Sequence, residues 1–492
     1  IKQPLPTDAP GCVDIFLHSV GRDEYLIQLI NLSGFNGVTI AKPLPMENIH
    51  LTLTGKHPQT LELLTADGFE NQPVTGDAVT LRCPGCYAGY RVTSKRHMSY
   101  RIRFILRRKQ SMDIKQMIEQ ANKKAAEILT KGRPVWVDVQ PAGEVIPGMT
   151  PDTILIAGPP IAVEDIPLPV KNAICGALLY EQRAETAEGA WQLVTSGQIK
   201  VEAAQDHDAA CGAAMATSAS MPVCVVEDKT FGGRGFCGVH PGNKQNVLRW
   251  GFYNDEVQND LVWFRDNYGP ALGETVRRMG GIDLINVMSK TAGMGDENHN
   301  RQPAASMYMA LQMVQTMMEI DFAHRDEIVK QFAANDRFFL HVMMAGVEAL
   351  TVKAKEIPLS TVMAGMGGNG VEFGIQLSGT GNRWYTAPAP VIHGMLLKPS
   401  YTEEDLLGYL GDSCVTEVYG LGGMSSIAGP AYARFTGATF AEAKERTEKA
   451  RAVSLGEHTF APIPWDEYRG FPVGIDARKV VGYNILPISH GG

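Results

Sequence analysis

The chain has 492 residues, 44% apolar and 20% charged, with a formal net charge of −8. Those proportions belong to globular proteins of roughly three domains, and no run of about 18 apolar residues is present to span a bilayer. The acidic balance disfavours nonspecific nucleic-acid binding, which needs a basic face to release counterions from phosphates, so an anionic substrate requires a local positive site.

In chain order, IKQPLPTDAPG at the start lacks the basic and apolar regions of a signal peptide and reads as trimmed. VDIFLHSV and YLIQLIN, around GRDE, have the alternation and polar turn of a hairpin. The same grammar recurs in IHLTLTG, QTLELLTADG and DAVTLRCPGCYAGYRV, which predicts a small antiparallel sandwich over residues 1–93. With NLSG and GCYAGYRV, this piece resembles the C-terminal sandwich of β-galactosidase-type glycoside hydrolases, although it carries no catalytic carboxylate pair. The eight cysteines are scattered. Cys83 and Cys86 form the single close pair and have no second pair to complete a zinc site, which points to a reduced, cytoplasmic protein.

Residues 94–111 are basic and contain no acid. They read as a solvated linker, as a contact for a membrane surface or nucleic acid, or as a translated ribosome-binding site before a second start at Met112. The last reading makes the chain a fusion of two frames. MDIKQMIEQANKKAAEILTKG is amphipathic at helical spacing, with Ile114, Met117, Ile118, Ala121, Ala125 and Ile128 on one side and Gly132 as its stop. PVWVDVQPAG, TILIAGPP and MPVCVVED read as strands and KNAICGALLYEQ as a helix, which predicts layered α/β architecture. The expected organisation is an α/β domain at 112–282, a small helical subdomain at 283–355 and a second α/β domain at 356–492. Within the subdomain, Met307, Ala310, Leu311, Val314, Met317 and Met318 form an apolar stripe read as core.

VDVQPAGEVIPGM, ILIAGPP, SMPVCVVED, MGDENHNRQPAAS, GMGGNGVEFGIQLSG and EVYGLGG occur in that order. On these motifs residues 112–486 resemble the YlbE/YahG-like (AllG) family. The resemblance implies a mixed α+β assembly with a small helical subdomain. It also implies a subunit of the oxamate carbamoyltransferase system of allantoin breakdown, which converts oxalurate and phosphate to oxamate and carbamoyl phosphate. The partners so implied are an FdrA-like subunit and a third, smaller one, and a homo-oligomer is compatible. A noncatalytic assembly subunit and a carbohydrate-related protein led by the sandwich are the alternatives.

Carbamoyl transfer needs anion donors, a stabilised oxyanion and a proton for the departing nitrogen. In TAGMGDENHNRQPAAS a helix is expected from Pro303, so that His299, Asn300 and Arg301 surround its positive end. His299 is the candidate acid/base, Asp296 and Glu297 its orienting carboxylates or simple caps, and Arg301 and Asn300 the anion holders. GMGGNG lacks the following helix of a dinucleotide fingerprint; Gly367, Gly368, Asn369 and Gly370 read as an amide cradle or a tight turn, with Glu372 beside them. Asn382 and Arg383 in SGTGNRWY offer a second anion-holding loop. Glu144, His207, His240 and Lys244 are weaker candidates, and Cys211 near His207 is a possible thiol nucleophile whose bland reading is a small buried side chain. No metal spacing is present; cofactors are expected to be none, with a divalent ion or nucleotide left open.

Overall fold

The computed structural model describes the strands of residues 13–94 and the chain from 114 to 489, except 300–302, 392–400 and 436. The basic segment 94–111 lies outside the described residues apart from its first position. The chain divides into two compact units, Ile1–Glu119 and Gln120–Gly492.

The first unit is all-β. One antiparallel sheet orders Val13–Ser19, Glu24–Asn31, Tyr87–Ser94, Pro58–Thr65 and Gly68–Gln72; a second orders Met46–Thr52, Ala78–Cys83 and Val74–Thr75. The expected hairpin pairs Val13 with Asn31 through to Ser19 with Tyr25. Leu61 and Leu63 are buried while Thr60 is exposed, the period-two burial of a sheet with one covered face.

The second unit mixes helices and sheets. Its central sheet orders Ala209–Ala210, Arg234–Gly238, Pro222–Asp228, Pro134–Pro141 and Ile282–Asp283. The Phe338–Ala354 helix lies directly on it and is apolar nearly all round, as a helix enclosed on every side must be. Its closeness explains the glycines of FGGRGFCG: a Cβ on Gly235 would meet Glu348 Cβ at 2.7 Å, and one on Gly233 would meet the Val352 side chain at 2.8 Å. A four-stranded antiparallel sheet orders Trp384–Pro388, Glu372–Leu377, Met363–Asn369 and Leu410–Gly411. Thr153–Ile156 pairs in parallel with Lys200–Ala203, and the chain leaves that strand through the turn at Gly158–Pro160. Among the described residues no helix is long and apolar enough to cross a membrane.

Two helices differ in detail from their sequence patterns. Ile114–Lys131 buries Ala121, Asn122, Ala125, Ile128 and Leu129, whereas Ile114 is exposed. Asn122 is buried because it bonds Thr361 and Asp476 across the unit. In Pro303–Glu319 the buried face is Ala305, Ser306, Met309, Ala310, Met313 and Met317; of the stripe taken as core, Ala310 and Met317 are buried, Val314 is half-buried, and Met307, Leu311 and Met318 are exposed. The helix has no charge before Glu319 to mark its outer side, and its two methionine-rich faces look alike in sequence. The two faces respond oppositely to truncation. Met313→Ala is expected to cost about 2–5 kcal/mol and Leu311→Ala to stay within about 0.5 kcal/mol, measured by denaturant unfolding.

Candidate functional site

Asp296 resolves the polar knot before the Pro303 helix. Its carboxylate accepts the amides of Asn298 (2.8 Å) and Ala305 (2.9 Å), capping the helix while holding the loop in a tight turn. Asn298 takes a left-handed φ of +63° and accepts the Thr291 hydroxyl. Burial, then the neighbouring Glu297, push the Asp296 carboxyl well above the ordinary range, against the amides that donate to it.

His299 turns inward. Its Nδ1 lies 2.9 Å from the Glu417 carboxylate and 2.9 Å from the Thr416 hydroxyl, in a setting where His299 and Glu417 are 1% and 0% exposed. Burial alone lowers an imidazole pKa, but the Glu417 charge and hydrogen bond, with Glu297 behind them, hold His299 above its ordinary value. Glu417 also accepts the Gly423 amide, and Gly422 donates to the Glu297 carbonyl. Gly422 has φ +58°, and a Cβ there would meet His299 at 2.9 Å. Asn300 and Arg301 lie outside the described residues.

GMGGNG is strand and hairpin turn where a loop was expected. Gly367 and Gly368 sit in the ladder opposite Gly374 and Phe373, so their backbone faces partner strands and does not form an open cradle. Asn369 closes the turn, accepting the amides of Val371 and Glu372, with Gly370 at φ +91°. The glycines are needed for close approach. A Cβ on Gly158 would strike the Gly368–Asn369 peptide, and one on Gly367 would strike the Asp412 carboxylate.

Asp412 is where these segments meet. One carboxylate oxygen accepts the Gly158 amide (2.8 Å) and Gln205 Nε2 (2.7 Å); the other accepts the Cys211 amide (2.9 Å). Gln205 also donates to the Met366 carbonyl and accepts the Met366 amide, pairing with the glycine strand as a peptide would. Burial pushes the Asp412 carboxyl up to about 7, against the pull of the three donors. Five residues further on, Glu417 holds His299, so one short segment ties the glycine strand at one end to the histidine loop at the other. Sequence reasoning passed over Gln205, Asp412, Thr416 and Glu417. The available signal was an acid between glycine and small residues in GDSC, and a second acid in an otherwise apolar EVYGLGG.

The remaining candidates scatter. Asn382 donates to the Asp206 carbonyl, and the Asp206 carboxylate accepts Gln376 and Trp384, while the exposed Arg383 stacks on Tyr385 with its guanidinium 5.1 Å from the ring centre. Glu372 accepts Thr386. Glu144 is exposed on the short Ala142–Val145 helix. His207 is occupied by the Pro147 carbonyl and Glu202, and Lys244 by Asp260. Cys211 is buried beside Thr217, and burial followed by Asp412 pushes its thiol up to about 12, so it is no thiolate nucleophile at neutral pH. His240 is buried against His341 and Arg249. Among the described residues no three His, Cys, Asp or Glu side chains converge as metal ligands.

Comparison with known proteins agrees on one family. A family model described as oxamate carbamoyltransferase subunit AllG matches residues 199–413. Oxamate carbamoyltransferase subunit AllG of Escherichia coli (strain K12) is 33% identical over 380 residues, covering 76% of this chain and 90% of its own. Uncharacterized protein YahG of the same strain is 34% identical over 373 residues, covering 75% and 79%. The crystal structure of a conserved protein of unknown function from Enterococcus faecalis V583 superposes with a TM-score of 0.73 at 34% identity, over 76% of this chain and 90% of that one. The chain belongs to the AllG family.

Two measurements test this geometry. Gly158→Ala combines φ +81° with a collision against backbone, and is expected to cost about 3 kcal/mol or more. Gly197→Ala, at φ +75° with nothing within 4 Å, should cost about 1 kcal/mol. His299 titrates higher folded than unfolded, so its stabilisation is fully present below pH 6.5 and is lost as pH rises through the raised value. Glu417→Gln removes the cause. Its melting midpoint should lie below that of the parent near about pH 6, with the gap narrowing towards about pH 9.

Proposed function

We propose that this AllG-family chain is a subunit of a carbamoyltransferase complex interconverting oxalurate plus phosphate with oxamate plus carbamoyl phosphate. Membership of the family named for that subunit carries the reading. The proposed partners are an FdrA-like subunit and a third, smaller one.

In the proposed reaction a phosphate oxygen attacks the ureido carbonyl carbon of oxalurate. The C–O bond forms, the C–N bond breaks, and the departing oxamate nitrogen takes a proton. His299 is the proposed source of that proton, because Glu417 favours its protonated form. Arg301 and Asn300, which follow it in the chain, are the proposed anion holders, with Asp296 and Glu297 orienting the loop. The burial of His299 and Glu417 favours a second reading, in which the pair only braces a noncatalytic assembly subunit.

Phosphate-dependent oxalurate cleavage by the complete complex separates the two. On the catalytic reading His299→Gln lowers kcat by about 10²-fold or more while the complex still assembles. Glu417→Gln then shifts the basic limb of the pH–rate profile to lower pH. On the bracing reading turnover follows assembly alone. A complete complex with no cleavage of oxalurate would overturn the proposal.

A further inference from the structure

Two buried histidines and an arginine cluster beside Gly212, where a Cβ would meet His341 Nε2 at 2.9 Å. His240 and His341 are 1% and 0% exposed and stack edge to face at 4.6 Å. Arg249 Nη1 donates to His240 Nε2 at 2.6 Å, while the His240 Nδ1 faces the Gly242 amide at 3.1 Å. A neutral imidazole offers one acceptor nitrogen, so those two donors exceed what the ring accepts. Arg249 Nε is buried and has no partner, as is His341 Nε2, whose ring bonds the Gly238 carbonyl through Nδ1. Burial and the guanidinium push His341 down to about 3, so its ring adds no second charge at neutral pH.

No carboxylate pairs with Arg249 among the described residues. Asp260, on the same cavity wall, is held by Lys244 at 2.8 and 2.7 Å. The exposed Arg337 adds to the positive field, and burial with that field lowers the Arg249 pKa to about 10. Arg249 still carries its charge at neutral pH. A half-buried guanidinium without a counter-charge is costly, and this one borders a cavity of about 50 Å³ whose wall, besides Asp260, is made mainly of apolar side chains such as Met215, Val239 and Phe264.

We propose that this cavity is a binding site for a small oxyanion, whose oxygens bond the Arg249 guanidinium while its body rests on Met215, Val239 and Phe264. Carboxylates and phosphate share that geometry. The site goes beyond the carbamoyltransferase reading, and its test needs no turnover, so each can fail without the other.

The test titrates the full chain with oxamate and, separately, with inorganic phosphate at constant ionic strength. Thermal midpoint and tryptophan fluorescence are the readouts; Trp250, stacked 4.7 Å from the Arg249 guanidinium, is the reporter. One anion or both should raise the midpoint saturably by about 2 °C or more, and the more effective one identifies the ligand class. Arg249→Met should melt no lower than the parent without anion, because it removes an unpaired buried charge, and should weaken binding by about 10²-fold. Should that variant fail to fold, Arg249→Lys keeps the charge, loses the fork, and should weaken binding about tenfold. No saturable shift with either anion, or a shift retained in the folded Arg249 variant, would overturn the site.

Discussion

The Asp412 carboxylate is the constraint on which the larger unit depends. A buried acid that accepts amides from Gly158 and Cys211 and a carboxamide from Gln205 joins three loops through one side chain. Such a group is stable only with its donors in place, since an unmatched buried carboxylate costs several kcal/mol, of the order of about 3–5. The glycines at 158, 367 and 411 follow from it. They are the positions where backbones must come closer than any Cβ permits: on Gly411 a Cβ would meet the Ala213 amide nitrogen at 2.7 Å.

The same segment carries its charge in two forms. At Asp412 burial wins and the acid is drawn towards neutrality; Glu417 faces His299 and holds that imidazole above its ordinary value. The contrast is one of partners: amide dipoles moderate the desolvation of Asp412 without cancelling it, whereas the Glu417 carboxylate outweighs the burial of His299. A third balance holds at Arg249, which has no carboxylate partner among the described residues.

Local grammar was readable in the chain and distant pairing was not. Alternation around GRDE predicted the Val13–Asn31 hairpin, and strand character after GMGGNG correctly ruled out a dinucleotide loop. Asp296 before Pro303 read partly as a cap, and it is one. On the Met-rich helix Ala310 and Met317 of the expected stripe are buried but Met307, Leu311 and Met318 are not, because periodicity alone cannot fix the buried edge when no charge marks the outer side. His299 was singled out, but Glu417 lies 118 positions away and nothing local joins them. Arg249, in NVLRWG, sits in no motif; its interest comes from what surrounds it in space.

The span of the Asp412 contact also bears on how the chain is made. Gly158 leaves the ribosome 254 residues before its acceptor. Until Asp412 emerges, the Gly158 and Cys211 loops lack the group that joins them, although the largely apolar Phe338–Ala354 helix and every strand of the central sheet it covers are already made. At about 5–20 residues per second that interval lasts on the order of ten seconds or more, so nascent chains of this protein place a demand on chaperones that the finished molecule does not reveal.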